Sequence, residues 1–111
     1  NWVFGRGWCQ TRYMPRLAEY RGRLQAIPFD FPELLGVLAP RAVFVSAPKG
    51  DHNFRWKSAR RCAEAAGRVY ELLGAKNKLV VRHPGCSHDF PPEIRSAAYD
   101  FLAKALAGEG N

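Results

Sequence analysis

Asp51 and His88 stand 37 positions apart (88 minus 51), yet each follows a short apolar run that a proline and a glycine bring to a stop. A carboxylate and an imidazole brought together can do acid–base chemistry. The carboxylate accepts the Nδ1 proton, which fixes the tautomer and stabilises the imidazolium. Nε2 is then left to take a proton from a nucleophile. Other residues of suitable type compete for these places. Asp30 and Asp89 are alternative acids, and His52, beside Asp51, reads as a rim or surface residue rather than the base. His83, Cys86 and His88 have metal-ligand chemistry, but Cys86-x-His88 lacks the paired second half of a zinc site.

The elements around these two loops must bring them to one place. Ala42-Val43-Phe44-Val45-Ser46-Ala47, stopped by Pro48 and Gly50, reads as a strand, and so does Lys78-Leu79-Val80-Val81-Arg82-His83, stopped by Pro84 and Gly85. Between them, Ser58 to Leu73 carries helical spacing: Ala59, Cys62, Ala63, Ala66, Val69, Tyr70 and Leu73 form the apolar stripe, with Gly74 ending it. A strand, helix and strand in this order make a right-handed parallel crossover, so both strands finish at the same sheet edge. In an open α/β sheet that edge carries the chemistry.

Flanking elements complete an α/β reading. Asp30 to Leu38 predicts a short helix with Pro32 in its first turn, and Pro91-Pro92-Glu93 opens a last helix buried through Ile94, Ala97, Ala98, Phe101, Leu102, Ala105 and Leu106. Asn1 to Pro28 lacks sustained periodicity and reads as a surface excursion, with a short helix over Met14 to Tyr20. Two strands offer too little sheet for these stripes, and parallel sheets are normally covered on both faces. With an N-terminus lacking an initiator Met, this predicts that residues 1–111 are the C-terminal part of one larger α/β domain.

Composition sets outer limits. At 111 residues and 47% hydrophobic content the chain is a folded protein of at most one domain. No run approaches the roughly 18 apolar residues of a membrane span. The net charge of +7 comes from 17 scattered basic residues rather than a compact patch with interleaved aromatics, which argues against nucleic-acid binding. Cys9, Cys62 and Cys86 form no CxxC and no disulfide framework, and Cys62 reads as a core residue.

Several segments together resemble one family. Pro84-Gly85-Cys86-Ser87-His88-Asp89-Phe90-Pro91-Pro92 resembles the histidine loop of α/β-hydrolases, in particular the acetyl xylan esterase and dienelactone hydrolase-like group. Ala47-Pro48-Lys49-Gly50-Asp51-His52-Asn53-Phe54 resembles their acid loop. Tyr13-Met14-Pro15-Arg16, Pro28-Phe29-Asp30-Phe31-Pro32-Glu33 and Ala39-Pro40-Arg41 resemble the segment after the nucleophile, so the likeness runs from Tyr13 to Leu106. It implies the C-terminal fragment of an α/β-hydrolase fold and a serine carboxylesterase parent that uses no cofactor. Its substrate would be a small-molecule ester, with His88 as catalytic base and Asp51 as acid. A prolyl-oligopeptidase-type peptidase shares this triad order, and a non-catalytic basic binding fragment is the reading from outside enzymes. The family's G-x-S-x-G nucleophile elbow is absent from these 111 residues; Gly85-Cys86-Ser87-His88-Asp89 lacks the closing Gly and follows the acid. The chain alone is therefore expected to be catalytically incompetent.

Overall fold

The computed structural model describes residues 13–108. Cys9 and the rest of the first twelve residues lie outside them. The chain divides into two compact units, Asn1–Asp30 and Phe31–Asn111. Within the first, Pro15–Tyr20 and Leu24–Ala26 are short 3₁₀ turns; the predicted helix from Met14 takes this tighter form, with Pro15 at its start.

The second unit runs α1 (Phe31–Gly36), β1 (Val43–Ser46), α2 (Trp56–Leu72), β2 (Leu79–Arg82) and α3 (Pro92–Leu106). Helix α1 is shorter than the predicted Asp30 to Leu38. After Gly36 the bonds tighten to Leu38 N–H on the Leu35 carbonyl and Ala39 N–H on that of Gly36, and Pro40 has no N–H to continue them. The strands pair in parallel with Val43 beside Leu79, Phe44 beside Val80, Val45 beside Val81 and Ser46 beside Arg82. This is the predicted crossover, with both ends within a residue or two of the expected bounds.

Strand parity separates the two long helices. Leu79 and Val81 line a shallow groove with Ala63 and Gly67 of α2, whereas Phe44, of opposite parity, meets Phe101 of α3 with ring centroids 6.0 Å apart. The sheet is thus covered by α2 on one face and α3 on the other. Helix α2 buries Ala63, Ala66 and Tyr70, and its end is a Schellman cap. Ala75 N–H bonds the Tyr70 carbonyl at 2.8 Å and Gly74 N–H bonds that of Glu71 at 3.0 Å. Gly74 itself takes φ 67°, which a Cβ would penalise.

The predicted stripes are only partly covered. Val69 and Leu73 of the α2 stripe and Leu102 and Leu106 of the α3 stripe are exposed, and Cys62 is half-buried. Two strands are simply narrower than the apolar surface that faces them.

Tyr70 is fully buried, and its hydroxyl donates to the Arg41 carbonyl at 2.9 Å, tying α2 to the segment that enters β1. Burial pushes its pKa above the ordinary tyrosine value. Tyr70→Phe strands that carbonyl, so a loss of about 1–2 kcal/mol in urea-unfolding stability is expected.

Candidate active site

The parallel ladder does not stop where the strands do. Ala47 N–H donates to the Arg82 carbonyl at 2.9 Å, Lys49 N–H to that of Pro84 at 2.8 Å, and Gly50 N–H to that of Cys86 at 3.0 Å. His83 adds a side-chain rung, its Nδ1 2.9 Å from the Ala47 carbonyl oxygen, which makes that nitrogen the protonated one. The two loops therefore leave the sheet zipped together, and the residues that follow the last rung are Asp51 and, two places after Cys86, His88.

Asp51 Oδ2 lies 2.8 Å from His88 Nδ1. The other carboxylate oxygen accepts the amides of Asn53 at 2.7 Å and Phe54 at 3.2 Å. One oxygen thus shapes the turn while the other holds the imidazole, so the turn-forming role open to any such aspartate and the partnership with His88 coexist. The α2 N-cap is Arg55, not Asp51. The Asp51 side chain is only 4% exposed, whereas that of His88 is 61% exposed. With Nδ1 engaged, Nε2 is the nitrogen available to a reacting group.

The Asp51 carboxyl feels opposing influences. Burial raises its pKa, but the His88 hydrogen bond, the Asn53 and Phe54 amides and the His88 charge bring it below the ordinary aspartate value. A carboxyl whose pKa falls on folding adds stability that is fully present above its unfolded pKa and is lost as pH falls through the lowered folded one. Urea midpoints followed into acid should therefore show a loss over that window that Asp51→Asn largely removes.

Two contributors were not evident from residue type. Gly50 has no Cβ, and one built there would sit 2.8 Å from the Cys86 carbonyl oxygen, a backbone atom that cannot swing aside. Gly50→Ala should push the loops apart, costing about 1–3 kcal/mol in stability. It should also weaken the Asp51–His88 bond, read from the His88 ring resonances by NMR. Phe54, whose amide serves Asp51, also places its ring 5.8 Å from the His88 ring at a 32° tilt. A Pro-Lys-Gly-Asp run hints at a turn, but nothing local in sequence announces a backbone contact 36 residues away.

The other sequence candidates go elsewhere. Asp89 Oδ1 accepts the Phe90 amide at 2.7 Å, His52 is exposed, and Asp30 immediately precedes α1. His83 serves Ala47, and Cys86 Sγ lies 4.0 Å from the Asp89 carbonyl oxygen. Among the described residues no three His, Cys, Asp or Glu gather as metal ligands, and no described helix is long and apolar enough to cross a membrane.

Residues 3–74 match the family described as "Glucuronyl esterase, fungi". The chain belongs to the fungal glucuronyl esterase family. It is 29% identical over 97 residues to the 4-O-methyl-glucuronoyl methylesterase of Hypocrea jecorina (strain QM6a), an alignment covering 81% of the chain and 20% of that protein. It is 33% identical over 61 residues to 4-O-methyl-glucuronoyl methylesterase 1 of Sodiomyces alcalophilus, covering 55% of the chain and 12% of that protein. Among solved structures, Methylesterase BT1017 superposes with a TM-score of 0.57 at 32% identity, over 68% of the chain and 17% of that protein. The chain thus spans a fifth or less of the length of these relatives. The α/β-hydrolase-type esterase resemblance holds. Its narrower direction is glucuronyl esterase rather than the acetyl xylan esterase and dienelactone hydrolase-like group.

Proposed function

We propose that this chain supplies the general base and its orienting acid to a serine hydrolase that cleaves esters of uronic acids. The observation that carries the reading is the 2.8 Å bond from His88 to the covered Asp51 carboxylate, with the outer side of the imidazole left exposed. In this reading residues 1–111 are the C-terminal part of an α/β-hydrolase domain. Further strands from the rest of that domain would cover the stripes that β1 and β2 leave bare. The serine would come from outside these residues, which contain no G-x-S-x-G.

The reaction follows from the pair's geometry. His88 Nε2 takes the serine proton as Oγ attacks the ester carbonyl carbon, and Asp51 stabilises the imidazolium that results. The tetrahedral intermediate collapses to an acyl-enzyme as Nε2 protonates the departing alcohol. Water, deprotonated by the same nitrogen, then releases the acid. No step requires a cofactor.

Uronic esters are preferred over acetyl esters because two of the relatives named above are glucuronoyl methylesterases. Those names speak against a prolyl-oligopeptidase-type peptidase as well. Methanol release by the complete enzyme tests the choice. Methyl glucuronate should be turned over with a kcat/KM at least tenfold above that for p-nitrophenyl acetate, once the acetate's intrinsically better leaving group is normalised by its rate with free imidazole. Preference for the acetyl ester, or cleavage of a peptide substrate instead, would remove the uronic-acid assignment.

A further inference from the structure

We propose that the Trp56 indole and the cations around it form a subsite for a free, unesterified uronate of an acidic polysaccharide. Lys49 Nζ, Lys57 Nζ and Arg60 Cζ lie 5.7, 5.9 and 5.6 Å from the centre of that ring, and the His83 ring lies 5.1 Å from it at a 55° tilt. Cation–π attraction explains why such groups gather on an indole. It does not explain why two of the three cations, Lys49 and Lys57, have no acid beside them.

Trp56 opens α2, whose first turn contains no acidic residue and whose Arg55 cap makes no side-chain hydrogen bond. The positive end of a 17-residue helix normally gathers carboxylates, and cations placed there are unfavourable. Arg60 is partly offset by Glu64 at 3.4 Å. Among the described residues, Lys49 and Lys57 have no carboxylate within ion-pair distance. Such a cluster is complemented by an anion on a body with an apolar face. A pyranose uronate has both, since its C–H face can rest on the indole while its carboxylate meets an ammonium.

Location favours this ligand over other polyanions. Lys49 sits in the loop that carries Asp51, and His83 leads into the loop that carries His88, so the cluster borders the candidate active site. The inference rests on the uronic-ester reading to this extent: it takes the polymer that presents an esterified uronate to His88 to carry unesterified ones as well. A nucleic acid would call for successive stacking rings, whereas here one ring is surrounded by charge.

Calorimetric titration of the 111-residue chain decides it, with an oligogalacturonate, a neutral xylo-oligosaccharide and a single-stranded oligonucleotide of matched charge. The oligogalacturonate should bind, more weakly as salt rises, and the neutral sugar should not. Lys57→Gln and Lys49→Gln should each weaken binding about threefold to fivefold, whereas Arg95→Gln, an exposed cation on α3, should not. Trp56→Phe should retain more affinity than Trp56→Leu, both checked by thermal melt. The inference is overturned by no uronate binding, by an equal loss with Arg95→Gln, or by tighter binding of the oligonucleotide. His88→Ala separates it from the catalytic reading, because that substitution should leave uronate binding unchanged. Uronate binding without ester hydrolysis by the complete enzyme would remove the catalytic reading, and hydrolysis without binding would remove this one.

Discussion

His88→Ala in the complete enzyme should lower kcat on a methyl glucuronate ester by roughly 10⁴-fold or more, and Asp51→Asn should approach the same loss. In the proposed mechanism the first removes the group that takes the nucleophile's proton. The second keeps the shape of the carboxylate but presents an amide to Nδ1, which favours the tautomer with the proton on the wrong nitrogen. Because the loss falls on the transition state, KM should move little in either variant. Asp89→Asn and His52→Ala serve as neighbours of matched type. Asp89 spends its carboxylate on the Phe90 amide and His52 is exposed, so each should cost on the order of tenfold at most. Reversal of the two pairs in a kcat series, with melts showing all four folded, would mean that the wrong acid or the wrong histidine has been assigned.

Equally large is the expected gap between the chain alone and the chain joined to a nucleophile. Residues 1–111 by themselves should hydrolyse an activated ester no faster than free imidazole at the same concentration. On the proposed reading they offer a base but no elbow serine and no oxyanion-binding amide beside one. Supplying the rest of the proposed hydrolase domain, fused or in trans, should raise turnover by several orders of magnitude, and that gain should disappear with His88→Ala. Saturable hydrolysis by the isolated chain that persists in His88→Ala would show a different active site altogether.

Sequence carried the crossover well because it depends on two strong, separable signals. The β-branched runs at Val43–Ser46 and Leu79–Arg82 have few competing conformations, and Gly74 marks the end of α2 through a backbone angle that few other residues adopt. Parallel pairing then determined which loops meet, and Asp51 with His88 followed. Less legible was how closely they meet. The rungs from Lys49 to Pro84 and from Gly50 to Cys86 are backbone contacts, indifferent to side-chain type except where Gly50 must be bare. Burial along α2 and α3 is shallower than their periodicity predicts. Periodicity shows which residues share a face, but Val69 and Leu106 stay exposed because burial also needs an opposing surface wide enough to cover them. Trp56 has no periodic signature at all, and its importance appears only once Lys49, Lys57, Arg60 and His83 are seen around it.

That Asp51 holds His88 in the tautomer with Nε2 free is the central claim, and the imidazole proton itself reports on it. Proton NMR of the folded chain at low temperature, with His ¹⁵N labelling, should show a His88 Nδ1–H resonance shifted well downfield of the backbone amides and protected from exchange. That signal should persist in Asp89→Asn and vanish in Asp51→Asn. A His88 ring protonated at Nε2 in its neutral form, or an Nδ1 proton unaffected by Asp51→Asn, would contradict it.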